Sequence, residues 1–335
     1  MKNYEYQRRT AMYYIGVDLG GTNIAIGIVN SNFEIIEKGS VPTNANRDGE
    51  LIIKDMAELA KRLLDKKGIP LSEVAYAGIA SPGGIDSEHG LVEHCSNLPF
   101  ENFPITEIFK KYLPISRVYV ENDANAAALA EATAGVAKGT KHSLMITLGT
   151  GVGGGIVIDN KVYTGFNGHA GELGHVVIQH NGRQCPCGRR GCWEAYSSAT
   201  GLTNMTKEKM TEYNLKGIPT LMNDEAEQNG GKVTARTAFN AMKRGDEAAT
   251  EVVNEYISYL ADGIATMINI FQPEVLSIGG GVCNEGDYLL KPLLKKVDCE
   301  LYNRNIDGSR KTAIKIAKLG NDAGILGAAS LGIHN

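Results

Sequence analysis

The sequence predicts an α/β protein built from two domains. Three observations carry this reading. Apolar strand patterns alternate with helical ones along most of the chain, which is the signature of the α/β class. A strand–glycine loop–strand unit occurs twice. The length of 335 residues corresponds to roughly two domains at about 150 residues each. With 43% hydrophobic and 21% charged residues, the composition is that of a chain able to bury a large core.

Along the chain, Tyr13 to Asp18 reads as a buried strand, Gly20 and Gly21 as a turn, and Ile24 to Val29 as a second strand. A third strand starts near Phe33. Leu51, Ile52, Met56, Leu59, Ala60, Leu63 and Leu64 fall on one helical face, so Leu51 to Lys66 is a helix, stopped by Gly68 and Pro70. Val74 to Ala80 is a strand, Ser81 to Gly84 a loop, Ile105 to Tyr112 a short helix, and Val118 to Glu121 a strand entering an Ala-rich helix over 124–137. A second strand–glycine–strand unit begins at Ser143. IGVDLGGTNIAIGIV (15–29) superimposes on LMITLGTGVGGGIVI (144–158) at an offset of 129 residues, Gly20 onto Gly149. We read this as a duplicated supersecondary unit, one copy per domain. Residues 235–243 and 248–271 are helical, Val275 to Ile278 is a strand, and the last helix spans about 322–331.

Several function classes are excluded at this level. Lys+Arg 34 against Asp+Glu 38 leaves a net charge of −4, so there is no basic footprint for nucleic acid or an anionic membrane. The longest apolar stretch, 256–282, is interrupted by Asp262, Asn269 and Gln272 and cannot span a bilayer. The N-terminus has positive charge but only a short apolar run, so no signal peptide is expected. Three of the six cysteines lie within eight residues, which reads as metal binding in a cytoplasmic protein rather than as a disulfide framework.

Three glycine loops each follow an apolar strand: DLGGTN (18–23), LGTGVGGG (148–155) and IGGGV (278–282). Such loops let backbone N–H groups converge on an anion. No GxxxxGK[ST] occurs, which argues against a P-loop. Gly149-x-Gly151-x-x-Gly154 matches GxGxxG, but a dinucleotide site needs a helix there, and the continuation is strand-like. Asp18 ends a strand beside the first loop, where a carboxylate can orient Mg²⁺ on phosphates. Asp123 ends another strand and opens a helix, so it is either a helix N-cap or a reactive carboxylate. In Cys185-Pro-Cys187-Gly-Arg-Arg-Gly-Cys192 three thiols share a small loop that Gly188 and Gly191 can bend around an ion. His175 or His180 can supply a fourth ligand. Four N/S ligands leave no open position, so the expected Zn²⁺ is structural.

DLGGTN, ENDANAAALAE, LGTGVGGGIV, GHAGELGH and CPCGRRGCWE, in that order, resemble the ROK family (repressors, open reading frames, sugar kinases) from about Tyr13 onward, and within it the bacterial ATP-dependent glucokinases. The resemblance implies an actin-like ATPase (ribonuclease H-like) fold, with two α/β domains, a cleft between them and a structural zinc site. The expected domains are residues 1–121, with the C-terminal helix of about 320–335 packing back on them, and a larger 122–319 domain holding the zinc loop. The resemblance implies that Asp18, Gly20, Gly21, Thr22 and Asn23 form the first phosphate motif, Gly149, Thr150 and Gly151 the second, and Gly279, Gly280 and Gly281 the adenosine loop. Asp123 matches the family's general base. Asn97, Asn122, Asp123, Glu172, His175 and Glu194 match its sugar contacts. His175, Cys185, Cys187 and Cys192 match its zinc ligands.

The expected activity is transfer of the γ-phosphate of Mg-ATP to the 6-hydroxyl of D-glucose. N-acetylmannosamine, N-acetylglucosamine, mannose or fructose are the alternative acceptors. A repressor would need a helix-turn-helix domain, for which the dozen residues before the first strand are too few. A non-catalytic sugar binder is disfavoured because Asp18 and Asp123 are both present. The family implies a homodimer or homotetramer. No function is assigned to the residues before Tyr13.

Overall fold

A computed structural model describes residues 13–333; the reading of the segment before Tyr13 lies outside them. The chain divides into two compact units. The first takes its described residues from Met1–Gly139, Val157–Ala170 and Asn321–Asn335, and the second from Thr140–Ile156 and Gly171–Gly320.

In the first unit, β1 (Tyr13–Leu19), β2 (Asn23–Asn30), β3 (Ile35–Pro42), β4 (Val74–Ser81) and β8 (Val118–Asn122) form a sheet of order β3-β2-β1-β4-β8. β1, β2 and β3 are antiparallel neighbours, whereas β4 runs parallel to β1 and β8 to β4. A small antiparallel sheet of β5 (Gly84–Asp86), β6 (Leu91–His94) and β7 (Glu101–Phe103) lies between β4 and β8 in the sequence. Helix α1 (Gly49–Lys67) begins at Asp48, whose side chain accepts the Glu50 N–H, and ends where Gly68 turns left-handed. Its buried face, Ile52, Met56, Leu59 and Leu63 among them, is the stripe expected from the sequence except for Leu51, which lies in the first turn and is exposed. α2 (Ile105–Tyr112) covers the expected residues.

Helix α3 spans Asp123–Thr133 and α10 spans Ala323–Ser330. α3 stops four residues short of the expected 137, because 134–137 leave the helix and the Val136 N–H turns back onto the buried Glu131 carboxylate. The third strand starts at Ile35 rather than near Phe33, which adopts a left-handed φ of 61° in the turn. Glycines bring α10 against the sheet at backbone distance. A Cβ on Gly16 would overlap the Ile325 carbonyl, one on Gly78 the Ala328 carbonyl, and one on Gly327 the Ala126 carbonyl of α3.

The second sheet starts at β9 (Ser143–Leu148), which leads through Gly149–Gly151 into β10 (Val152–Ile158). β12 (Val275–Gly279) lies parallel to β9, and β13 (Ala313–Ile316) parallel to β12. β11 (Lys161–Val162) pairs antiparallel with Val157 and Ile158 of β10. The order β11-β10-β9-β12-β13 repeats that of the first sheet strand for strand, and β9–β10 sits on β1–β2 at the offset of 129. The glycine-rich continuation 152–158 is indeed strand, so the GxGxxG match opens no helix.

The helices of the second unit are α4 (Glu194–Ser197), α5 (Ala199–Leu215), α6 (Leu221–Gln228), α7 (Ala235–Lys243), α8 (Glu247–Phe271) and α9 (Asp287–Glu300). α8 is the core helix. Val252, Tyr256, Leu260, Ile264 and Ile268 are all buried, and the Tyr256 hydroxyl donates to the Ser197 carbonyl. Gly263 makes room for the fully buried Trp193 ring, whose Nε1 donates to the Tyr259 carbonyl at 3.1 Å. That pair bolts the end of the cysteine loop to α8. Among the described residues no helix is long and apolar enough to cross a membrane.

Candidate functional site

The first unit gathers its candidate residues at the carboxyl ends of β1, β4 and β8, where ligands collect in parallel sheets. The DLGGTN turn is closed by the Gly20 N–H to Asn23 carbonyl bond. It is held from outside by Thr43, whose hydroxyl donates to the Gly20 carbonyl at 2.6 Å and whose N–H donates to the Thr22 carbonyl. Gly21, Thr22 and Asn23 are exposed, and Gly21 lies beside Asn97. Asp18 packs over Gly324 at the start of α10. Burial, with the negative charge of Asp123 as a second cause, pushes its carboxyl up to about 6. Asp18 and Asp123 therefore share one acidic site.

The helix cap at this junction is Asn122. Its Oδ1 accepts the Ala124 and Asn125 N–H groups, while its Nδ2 donates to the Gly83 carbonyl at 3.2 Å. Asp123 is the first helical residue and is exposed; its Oδ1 accepts the Ala124 N–H at 2.8 Å. Beneath them Glu121 is buried, which raises its carboxyl, and it accepts from Asn125, the Asn122 N–H and Ser87.

In the second unit, Glu172 and His175 flank a short 3₁₀ turn, Leu173–His175. Gly174 fits against the Val152 carbonyl and Leu173 against Gly154, so the ELGH segment is seated on β10. The two nitrogens of His175 face different partners. Nε2 lies 3.9 Å from Glu172, and Nδ1 lies 3.7 Å from the Cys185 sulfur. Glu194 accepts the Val152 N–H through Oε2 at 3.0 Å, and its other oxygen lies 3.7 Å from the Cys185 sulfur. It thus touches both the β9–β10 turn and the cysteine loop.

His175, Cys185, Cys187 and Cys192 bring their ligand atoms within 4.8 Å of one another. The Cys187–Cys192 sulfur pair is 3.7 Å apart, as is Cys185 from His175 Nδ1. A tetrahedron with metal–sulfur bonds of about 2.3 Å has edges of about 3.7 Å, so the donor set and spacing fit Zn²⁺. Gly188 and Gly191 take left-handed φ values of 89° and 82°, turning the loop around the cluster. The Arg189 N–H lowers the Cys187 thiol, whereas burial raises those of Cys185 and Cys192. Of the two histidines open as the fourth ligand, His175 is at the cluster; His180 instead contacts Asn181.

The second and third glycine loops meet at one cavity of about 660 Å³ in the second unit. Gly149, Thr150 and Gly281 line one side, and Glu225, Asn229, Arg236 and Asn240 of the α6–α7 hairpin line the other. Gly280, with φ 96°, lies against Leu148, and Thr200 donates to the Thr150 carbonyl at 2.8 Å. The α6–α7 wall has no motif in the sequence. The Thr220 cap of α6 and the Thr234 cap of α7 are local signals, and they say only where the helices start.

Residues 14–335 match the ROK family. The chain belongs to the ROK family. A glucokinase of Halalkalibacterium halodurans is 38% identical over 95% of this chain and 94% of its own length. The ROK hexokinase of Thermus thermophilus superimposes with a TM-score of 0.79 at 32% identity, covering 96% of this chain and 97% of that one. A ROK family glucokinase from Streptomyces griseus, solved with glucose and AMPPNP, superimposes with a TM-score of 0.74 at 31% identity, covering 96% and 100%. The α/β fold described above is thus that of the ROK sugar kinases.

Proposed function

We propose that this chain is an ATP-dependent glucokinase, transferring the γ-phosphate of Mg-ATP to the 6-hydroxyl of D-glucose. The observation that carries the reading is the two-carboxylate site of Asp18 and Asp123 beside an exposed glycine turn, within a chain of the glucokinase-bearing ROK family. The glucose and AMPPNP held by the Streptomyces griseus relative support the substrate pair. The matching strand orders of the two sheets support an actin-like ATPase fold.

In this mechanism Asp123 accepts the proton of the sugar hydroxyl as its oxygen attacks the γ-phosphorus. The bond to the β-phosphate oxygen breaks, and ADP leaves. Positioned proton transfer contributes about 10²–10⁴-fold. Mg²⁺, when bound with ATP, neutralises the phosphate charge. Asp18 orients it, and Gly20 to Asn23 and Gly149 to Gly151 offer backbone N–H groups to the phosphates. The cavity bounded by Gly281 and the α6–α7 hairpin receives the adenosine. Asn97, Asn122, Glu172, His175 and Glu194 bind sugar hydroxyls, and a Zn²⁺ held by His175, Cys185, Cys187 and Cys192 fixes His175 and Glu194 in place. By family resemblance the protein is cytoplasmic and a homodimer or homotetramer. Phosphorus NMR of a reaction with Mg-ATP and glucose tests the chemistry. Glucose 6-phosphate and ADP are the expected products; a sugar 1-phosphate would overturn the assignment of the acceptor hydroxyl.

A further inference from the structure

The segment 163–170, which precedes the ELGH turn, folds into a compact loop closed at its neck by the Ala170 N–H to Thr164 carbonyl bond at 3.0 Å. It docks on the small sheet at two adjacent residues. Gly168, at φ 81°, approaches the β5 backbone so closely that a Cβ there would lie 2.7 Å from the Ile85 carbonyl oxygen. His169 then lays its ring against Gly84, where an added Cβ would meet the ring at 2.9 Å, and its Nε2 lies 2.8 Å from the Glu93 carboxylate of β6. The small sheet in turn supports the β8–α3 junction. The Gly83 carbonyl receives Asn122 Nδ2, and Ser87 donates to the buried Glu121 at 3.0 Å. Strands of three and four residues hold little shape alone, so the loop and the ion pair help fix where the Gly83 carbonyl stands.

We propose that Glu93 and His169 are a positioning pair for sugar binding: they clamp the 163–170 loop onto β5–β6 and thereby hold the Gly83 carbonyl that orients the Asn122 amide. This rests on the proposed kinase reading, in which Asn122 contacts the sugar. In that reading neither residue is among the sugar contacts. Asp123 is placed differently, by the bedding of α3 on α10 at Gly327. The clamp therefore acts on sugar affinity and leaves the proton-transfer step in place.

Steady-state kinetics of Glu93→Ala, His169→Ala, the double variant and Gly84→Ala test this, with thermal melts confirming that each is folded. Each single variant is expected to raise KM for the sugar about five- to tenfold, with kcat and KM for Mg-ATP within about twofold of the parent. The double variant should be no worse than the singles, since both remove one interaction. Gly84→Ala should behave alike, because its Cβ displaces the His169 ring. Glu93→Gln keeps an acceptor oxygen and should restore most of the affinity. Sugar KM unchanged in both singles, additive effects in the double, or an equal rise in KM for Mg-ATP would each overturn the clamp. The parent protein is assayed first on the hexose it turns over best. Absence of any hexose turnover or calorimetric binding in the parent would be a failure of the kinase reading and not of the clamp.

Discussion

Asp18 and Asp123 share one acidic site, and burial separates them. Asp18 is the desolvated member, with its carboxyl raised to about 6 from an ordinary 3.8. A raised acid pKa means that the folded protein holds the proton more tightly than the unfolded chain. This residue's contribution to stability therefore grows as pH falls from about 6 towards 3.8, is fully present below 3.8, and is lost as pH rises through 6. Cation binding runs the other way, because Mg²⁺ needs the carboxylate. Affinity for Mg-ATP should weaken as pH drops below about 6, while Asp18→Asn should bind weakly at every pH; titration calorimetry from acid to neutral pH measures both. A profile identical in parent and variant would remove Asp18 from the metal site. For Asp123, replacement by Asn should lower kcat by about 10²–10⁴-fold yet leave sugar binding measurable, and retained turnover would dismiss it as the base.

The sequence could name Asp123 only through family resemblance. Its position at a helix start favoured a cap over a base, and the capping role falls instead to Asn122 one residue earlier. Sequence spacing likewise left His175 and His180 open as the fourth ligand; the 3.7 Å approach of His175 Nδ1 to Cys185 separates them.

Among the elements, the cysteine loop and helix α10 show two ways of fixing a site. The loop is anchored by Trp193 under Gly263, and the candidate ligand atoms of His175, Cys185, Cys187 and Cys192 lie within 4.8 Å of one another. Cys187→Ala should lose bound zinc, measured by elemental analysis, and with it sugar affinity, while nucleotide affinity should change less. Full sugar affinity in the zinc-free protein would deny the metal any part in shaping the pocket. α10 relies on contact without Cβ atoms. Gly327→Val would drive a side chain into the Ala126 carbonyl and should cost about 2–3 kcal/mol, read as a lower denaturant midpoint at unchanged slope. A midpoint equal to the parent's would show that α3 and α10 have room to separate.

Helix α1 and the β1–β2 hairpin were legible because their periodicities are long and clean. The small sheet β5–β7 was not, since three or four residues carry no readable alternation. Nor was the His169–Glu93 pair, whose partners come from distant parts of the chain, or the α6–α7 wall, whose lining residues are ordinary polar positions on amphipathic helices.

In the molecule as a whole, the offset of 129 between the two glycine hairpins proves to be a repeat of entire sheets. β1 and β9 each stand third in a five-stranded order, with an antiparallel hairpin partner on one side and two parallel strands on the other. The two copies differ in the surroundings of the glycine turn. The first places Asp18 before it and Asn97 beside it; the second faces the 660 Å³ cavity and the Glu194 carboxylate. One supersecondary unit thus borders an acidic site in one copy and, in the other, a cavity lined by both polar and apolar residues. The decisive experiment for the glucokinase assignment is a coupled Mg-ATP assay across glucose, mannose, fructose, N-acetylmannosamine and N-acetylglucosamine. Glucose is expected to give the highest kcat/KM; a higher value for an N-acetyl sugar, or no turnover on any of the five, would refute the assignment.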